Sequence, residues 1–153
     1  MNDIIKAPNP ILHEVSEQVR LPLSKEDKQL LDEMYAYVKD PESRAIGLSA
    51  VQVGVLKRMC AIIIENQRYK LVNPRIIKRS KELTYYPEGC LSVSEEHDEP
   101  VKRYESISVM AYDAIQNKNI IINARGLLAR CLQHEIDHMD GILFTDRINE
   151  VEK

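Results

Sequence analysis

The sequence predicts an α+β fold in which antiparallel β-sheets pack around a central helix carrying His134-Glu135-Ile136-Asp137-His138. Three observations point there. Short runs rich in β-branched and aromatic residues recur between residues 59 and 122, separated by polar or turn-forming residues. The segment from Gly126 to Asp140 keeps helical period and is apolar on two adjoining stripes. The chain has 153 residues, a length that fits one domain able to bury a core without disulfide staples.

Ala7-Pro8-Asn9-Pro10 is rich in turn formers, and its prolines discourage helix. Ser24 can cap a helix with Asp27 in the capping-box position, and Leu30, Leu31, Met34, Tyr37 and Val38 hold helical period behind it. Asp40-Pro41 ends that helix, since the residue before proline avoids the helical region. Strands are expected over 59–64, 69–72, 83–86, 107–112 and 119–122, with Gln116-Asn117-Lys118 as a hairpin turn. The last helix runs from about Gly126 to Asp140, and Gly141 stops it.

Along that helix Leu127, Cys131, His134 and His138 form one stripe, and Leu128, Leu132, Glu135 and Met139 form the next. Arg130, Gln133, Asp137 and Asp140 form a third, polar stripe expected to meet solvent. The two histidines stand four residues apart, so they project from one face and can grip one cation, with Glu135 beside the metal as a water-activating carboxylate. Histidines and a glutamate on an apolar side need partners, and a metal satisfies all three.

A catalytic metal usually keeps three protein ligands and one open position, so a third ligand is required elsewhere. Cys90, in Glu88-Gly89-Cys90-Leu91-Ser92, is the best candidate, with Gly89 expected to let the backbone approach a bound group closely. Cys60 lies in an apolar run and reads as strand core, whereas Cys131 sits one turn before His134 and is expected to pack beside the metal. Three cysteines without paired spacing argue for a reducing compartment, and a cytoplasmic location is expected. The net charge of -3 gives no basic footprint for nucleic acid, and Lys78-Arg79-Ser80-Lys81-Glu82 reads as ordinary solvated surface. No apolar run reaches the length of a membrane span, and the N-terminus lacks a secretory core, so no membrane partner is expected.

Three segments in this order, Gly47-Leu48-Ser49-Ala50-Val51-Gln52-Val53-Gly54, Glu88-Gly89-Cys90-Leu91-Ser92 and Gln133-His134-Glu135-Ile136-Asp137-His138, resemble the signature segments of peptide deformylases. The likeness extends to Pro8-Asn9-Pro10-Ile11-Leu12 and Gly141-Ile142-Leu143-Phe144, and so spans nearly the whole chain. It implies a single catalytic domain over residues 1–153, without the extended C-terminal helix of many bacterial members. The implied reaction removes the N-formyl group from the methionine of nascent N-formylmethionyl peptides, releasing formate. Cys90, His134 and His138 would bind one divalent metal, Fe(II) in the cell with Zn(II) or Ni(II) as alternatives, and Glu135 would be general base and acid. Gln52 and the Leu91 amide would form the oxyanion hole, and Gly47 would line the substrate channel through its backbone. Weak or no association with the ribosome is expected, because that helix contributes to docking in some members.

Some positions depart from the family pattern or stay open. Ala45 replaces a frequent glycine, and Ser49 and Val51 replace the more frequent Ala and Pro beside the oxyanion glutamine. Ile46, Leu127 and Cys131 are candidates for the methionine pocket or for plain core. Arg130 rims that pocket or meets solvent; Asp137 is solvated or orients a neighbour such as Arg103. Two rivals to the deformylase reading are a non-catalytic metal-stabilised module that binds protein N-termini and a zinc endopeptidase. Against the first, a structural site needs neither Glu135 nor Gln52; against the second, Cys90 is the discriminating ligand.

Overall fold

The computed structural model describes residues 1–151. Helix α1 spans Lys25–Lys39, and its first turn is closed by the Ser24 hydroxyl, which accepts from the Asp27 amide. Asp27 itself turns to Lys57 across 2.7 Å. The strands are β1 (Gly47–Ser49), β2 (Met59–Ile64), β3 (Gln67–Arg79), β4 (Leu83–Tyr86), β5 (Val101–Tyr104), β6 (Ser106–Asp113) and β7 (Lys118–Arg125). They make a five-stranded antiparallel sheet in the order β1-β2-β3-β6-β7 and a separate β4-β5 pair.

Alternation along β2 builds two cores at once. Cys60, Ile62 and Ile64 face helix α2 (Gly126–Met139) together with Leu71, Val109, Ile122 and Leu132. Met59 and Ala61 face α1 with Leu31, Met34 and Val72. The sheet is thus covered by α1 on one face and α2 on the other, in keeping with the predicted α+β class and with Cys60 as strand core.

The predicted strands at 59–64 and 83–86 match the observed bounds, and the other three are longer than expected. Strands β1 and β5 and helix α3 (Phe144–Val151) were not anticipated; the first two are three and four residues long, too short to show a period. The turn between β6 and β7 precedes Lys118, with Asn117 at φ 57°. Gly141 stops α2 as expected, at φ 75°. Among the described residues, no helix is long and apolar enough to cross a membrane.

The expectation of a solvated stripe on α2 fails. Arg130, Gln133 and Asp137 are buried, and only Asp140 is exposed. Gln133 pairs with the backbone of Tyr104, and the β4-β5 pair covers this side of the helix with charged and polar partners. Leu127, placed on an apolar stripe, is 57 % exposed because it stands at the mouth of a cavity.

Candidate active site

Cys90, His134 and His138 present one sulfur and two imidazole nitrogens that lie within 4.8 Å of one another. Helix α2 supplies both histidines from one face, and the loop after β4 brings in Cys90 from 44 positions upstream of His134. His138 Nε2 is 3.2 Å from His134 Nε2 and 3.4 Å from Cys90 Sγ. Three donors aimed at a common point, two of them nitrogens facing each other, fit a cation that replaces their protons. Cys131 is buried nearby but does not join this group.

The orientation of His134 is fixed from behind. Its Nδ1 meets Glu88 Oε1 at 2.9 Å, which makes Nδ1 the protonated nitrogen and leaves the Nε2 lone pair for a ligand. Burial opposes a charge on His134, yet the hydrogen bonds to Cys90 and Glu88 prevail and raise it to about 10. His138 is held well below its ordinary value by burial and by the His134 charge. A cation at these nitrogens competes with protons for the same lone pairs.

Glu88 is itself clamped. Burial works against its charge, but two hydrogen bonds from Arg103 and one from His134 lower it to about 2. Arg130 adds a third guanidinium contact at 3.0 Å, while its other bonds reach Thr84 Oγ1 and the carbonyls of Tyr86 and Val101. Arg103 also donates to Asp137, which accepts from Arg147 as well. Of the two readings open for Asp137, the geometry bears out the contact with Arg103. Arg130 does rim the cavity, but it is buried and held by Thr84, Tyr86, Glu88 and Val101.

Glu135 is 3 % exposed, and burial raises it above the ordinary carboxylate range. The Ser49 hydroxyl donates to its Oε1 at 2.9 Å and lies 3.1 Å from its backbone carbonyl. The other oxygen, Oε2, lies beside Gly47: a Cβ on that glycine would stand 2.5 Å from it. Gly47 therefore has no room for a side chain, whereas a Cβ on Gly89 would meet nothing within 4 Å.

Gln52 is oriented by the same serine. The Ser49 amide donates to Gln52 Oε1 at 2.9 Å, which turns Nε2 toward Ser92 Oγ (3.1 Å) and Cys90 Sγ (3.6 Å). The Leu91 amide donates to no protein group among the described residues, leaving it available beside Cys90. These groups open onto a cavity of about 510 Å³ that Ile46, Gly47, Leu127, Cys131, His134 and Glu135 help to line. Ile46 and Leu127 are 43 % and 57 % exposed, so neither is core; Cys131 is buried in the wall.

Sequence reasoning gave no role to Glu88, Ser49 or Ser92. For Glu88 a signal existed, because ligating histidines usually donate their second nitrogen to a carboxylate and Glu88 lies two positions from a candidate ligand. For Ser49 none did, since its partner is 86 positions away.

The polypeptide deformylase family model matches residues 1–153. Peptide deformylase 2 of Geobacillus stearothermophilus is 41 % identical, over 97 % of this chain and 90 % of the relative. A peptide deformylase structure from Ehrlichia chaffeensis superposes with a TM-score of 0.86 at 32 % identity, covering 99 % of this chain and 90 % of that one. A class I type b peptide deformylase structure from Acinetobacter baumannii gives 0.86 at 33 % identity, covering 96 % and 99 %.

Proposed function

The chain belongs to the polypeptide deformylase family, and from that premise we propose how its residues divide the reaction. It is a metal-dependent hydrolase that removes the N-formyl group from nascent N-formylmethionyl peptides. We read residues 1–153 as one catalytic domain. Cys90, His134 and His138 would hold the metal, and a thiolate with two imidazoles suits Fe(II), Zn(II) or Ni(II). When bound, the cation supplies Lewis acidity to the formyl oxygen and to the attacking water.

Everything else falls to side chains of this chain. Glu135 takes a proton from water at Oε2, the oxygen that faces Gly47, while Ser49 holds Oε1. As the formyl oxygen gains charge, Gln52 Nε2 and the Leu91 N–H donate to it, each lost donor costing on the order of 3 kcal/mol in comparable oxyanion holes. Glu135 then passes its proton to the leaving amine. Ile46, Leu127 and Cys131 would take the methionine side chain, and Gly47 would meet the substrate through its backbone.

The observation that carries this division of roles is the clustering of three ligand atoms beside a cavity that the buried Glu135 carboxylate and the Gln52 amide both line. Fe(II) is our choice for the physiological metal, and a thiolate beside it makes both open to oxidation. The test is anaerobic reconstitution with Fe(II), Ni(II) and Zn(II) followed by aeration. Selective loss of activity in the iron form supports this oxidative fragility, and an iron form that survives prolonged aeration refutes it. Cobalt substitution tests the thiolate separately: a sulfur-to-cobalt charge-transfer band should appear in the wild type and vanish in Cys90→Ser.

A further inference from the structure

A second cleft, about 780 Å³, opens on a different side of α2 from the catalytic cavity, against Gln133, Ile136, Asp137 and Asp140. Its lining holds seven cationic side chains and two carboxylates, in a chain whose net charge is -3. Both carboxylates are already committed: Asp137 to Arg103 and Arg147, and Asp140 to Arg58. Arg75, Arg79, Lys81 and Lys102 have no carboxylate partner among the described residues. Whole-chain charge conceals this asymmetry, which is why the sequence pointed away from nucleic acid.

The fold creates the concentration. Strand β3 is 13 residues long and shifts register against β6 twice, between Val72 and Arg75 and again between Ile76 and Lys78. Such irregularities bend and twist a strand, and here Arg75, Ile76 and Arg79 come to line the cleft. Lys102 joins from β5, and Lys81 from the link between β3 and β4. Arg79 lies over the Tyr104 ring at 5.8 Å, so an aromatic face and a guanidinium plane share one wall.

We propose that this cleft docks the phosphate backbone of an RNA strand. Arg75 and Arg79 stand four residues apart on one strand, so their guanidinium groups offer two successive anchoring points along a chain of phosphates. Arg75, Arg79 and Lys81 are exposed rather than gathered into a buried cradle, so the spread fits a chain of phosphates and not a single small anion. An arginine-on-tyrosine wall offers a stacking surface for bases, which an acidic peptide would not use. The site is separate from the catalytic cavity, so its occupancy and the deformylation reaction can fail independently.

The experiment is fluorescence anisotropy of a labelled 12-nucleotide single-stranded RNA with the metal-loaded protein, titrated from low to physiological salt. About four neutralised phosphates predict a slope of roughly 3 in log Kd against log salt, at about 0.7 per contact. Arg75→Glu combined with Lys81→Glu should weaken binding at least about tenfold and roughly halve that slope, while formate release stays at the wild-type rate and certifies the fold. RNA should also shield Lys81 and Lys102 of the wild-type protein from amine acylation, a readout that needs no variant. Absence of RNA binding at low salt, unchanged affinity in the double variant, or equal binding of polyglutamate would each overturn the proposal.

Discussion

The Ser49 hydroxyl donates to Glu135 Oε1 at 2.9 Å, in a contact from which solvent is excluded on both sides. One oxygen of the carboxylate is thereby anchored and the other is left at the cavity, beside Gly47. Because the Ser49 amide also fixes Gln52, one residue orients both groups proposed to handle protons and charge. Ser49→Ala removes the first contact and keeps the second. We expect kcat to fall about 3- to 10-fold, in line with a hydrogen bond to a charged group worth on the order of 1 kcal/mol here, with KM and metal content unchanged. Steady-state kinetics on a formylated peptide reads this directly, and a raised KM at constant kcat would assign Ser49 to substrate binding instead.

Gly47→Ala tests the space beside that second oxygen. Its Cβ would stand 2.5 Å from Glu135 Oε2 and 3.1 Å from Cys131 Sγ, so the carboxylate must move. The expected result is a loss of kcat of at least about tenfold with little change in thermal midpoint, since the displaced group borders a cavity. Wild-type turnover in this variant would show that Glu135 does not need its present position.

Arg103→Leu removes the guanidinium that bridges Glu88 and Asp137. It leaves two buried carboxylates short of a partner, and breaking such a pair costs about 3–5 kcal/mol. Glu88 would also hold His134 less firmly, so metal affinity should fall about 10- to 100-fold. Metal competition with a chelator measures the second effect apart from denaturant unfolding, which measures the first.

Acid should act on the same cluster through Glu88. Its folded-state value of about 2 lies below the ordinary 4.5, so the folded state favours the charged form. That stabilisation is complete above the ordinary value and is lost as pH falls from about 4.5 toward 2; a shift of this size is worth on the order of 3 kcal/mol. Unfolding free energies of the wild type and Glu88→Gln should therefore differ near neutral pH and converge toward pH 2. A gap that stays constant across that range would mean that the Glu88 charge contributes nothing.

The sequence made the helix around His134 legible because a metal pair at i and i+4 and two apolar stripes share one period. What it hid is what packs against that helix. Arg130, Gln133 and Asp137 looked like a solvated face, since a charged side chain in a sequence carries no sign of the buried partner that Thr84, Tyr104 or Arg103 provides. Ser49 to Glu135 and Glu88 to His134 are contacts across 86 and 46 positions, which no local pattern encodes. The crowding at Gly47 was equally hidden, because Cys131 and Glu135, which a side chain there would meet, lie 84 and 88 positions away.

The most direct measurement is formate release from formyl-Met-Ala-Ser by the anaerobically iron-loaded protein, with Glu135→Gln as its partner. The proposed roles require wild-type turnover and a collapse of several orders of magnitude in the variant at equal metal content. Turnover that survives the substitution would contradict Glu135 as the base, and no turnover by the metal-loaded wild type would contradict the catalytic reading itself.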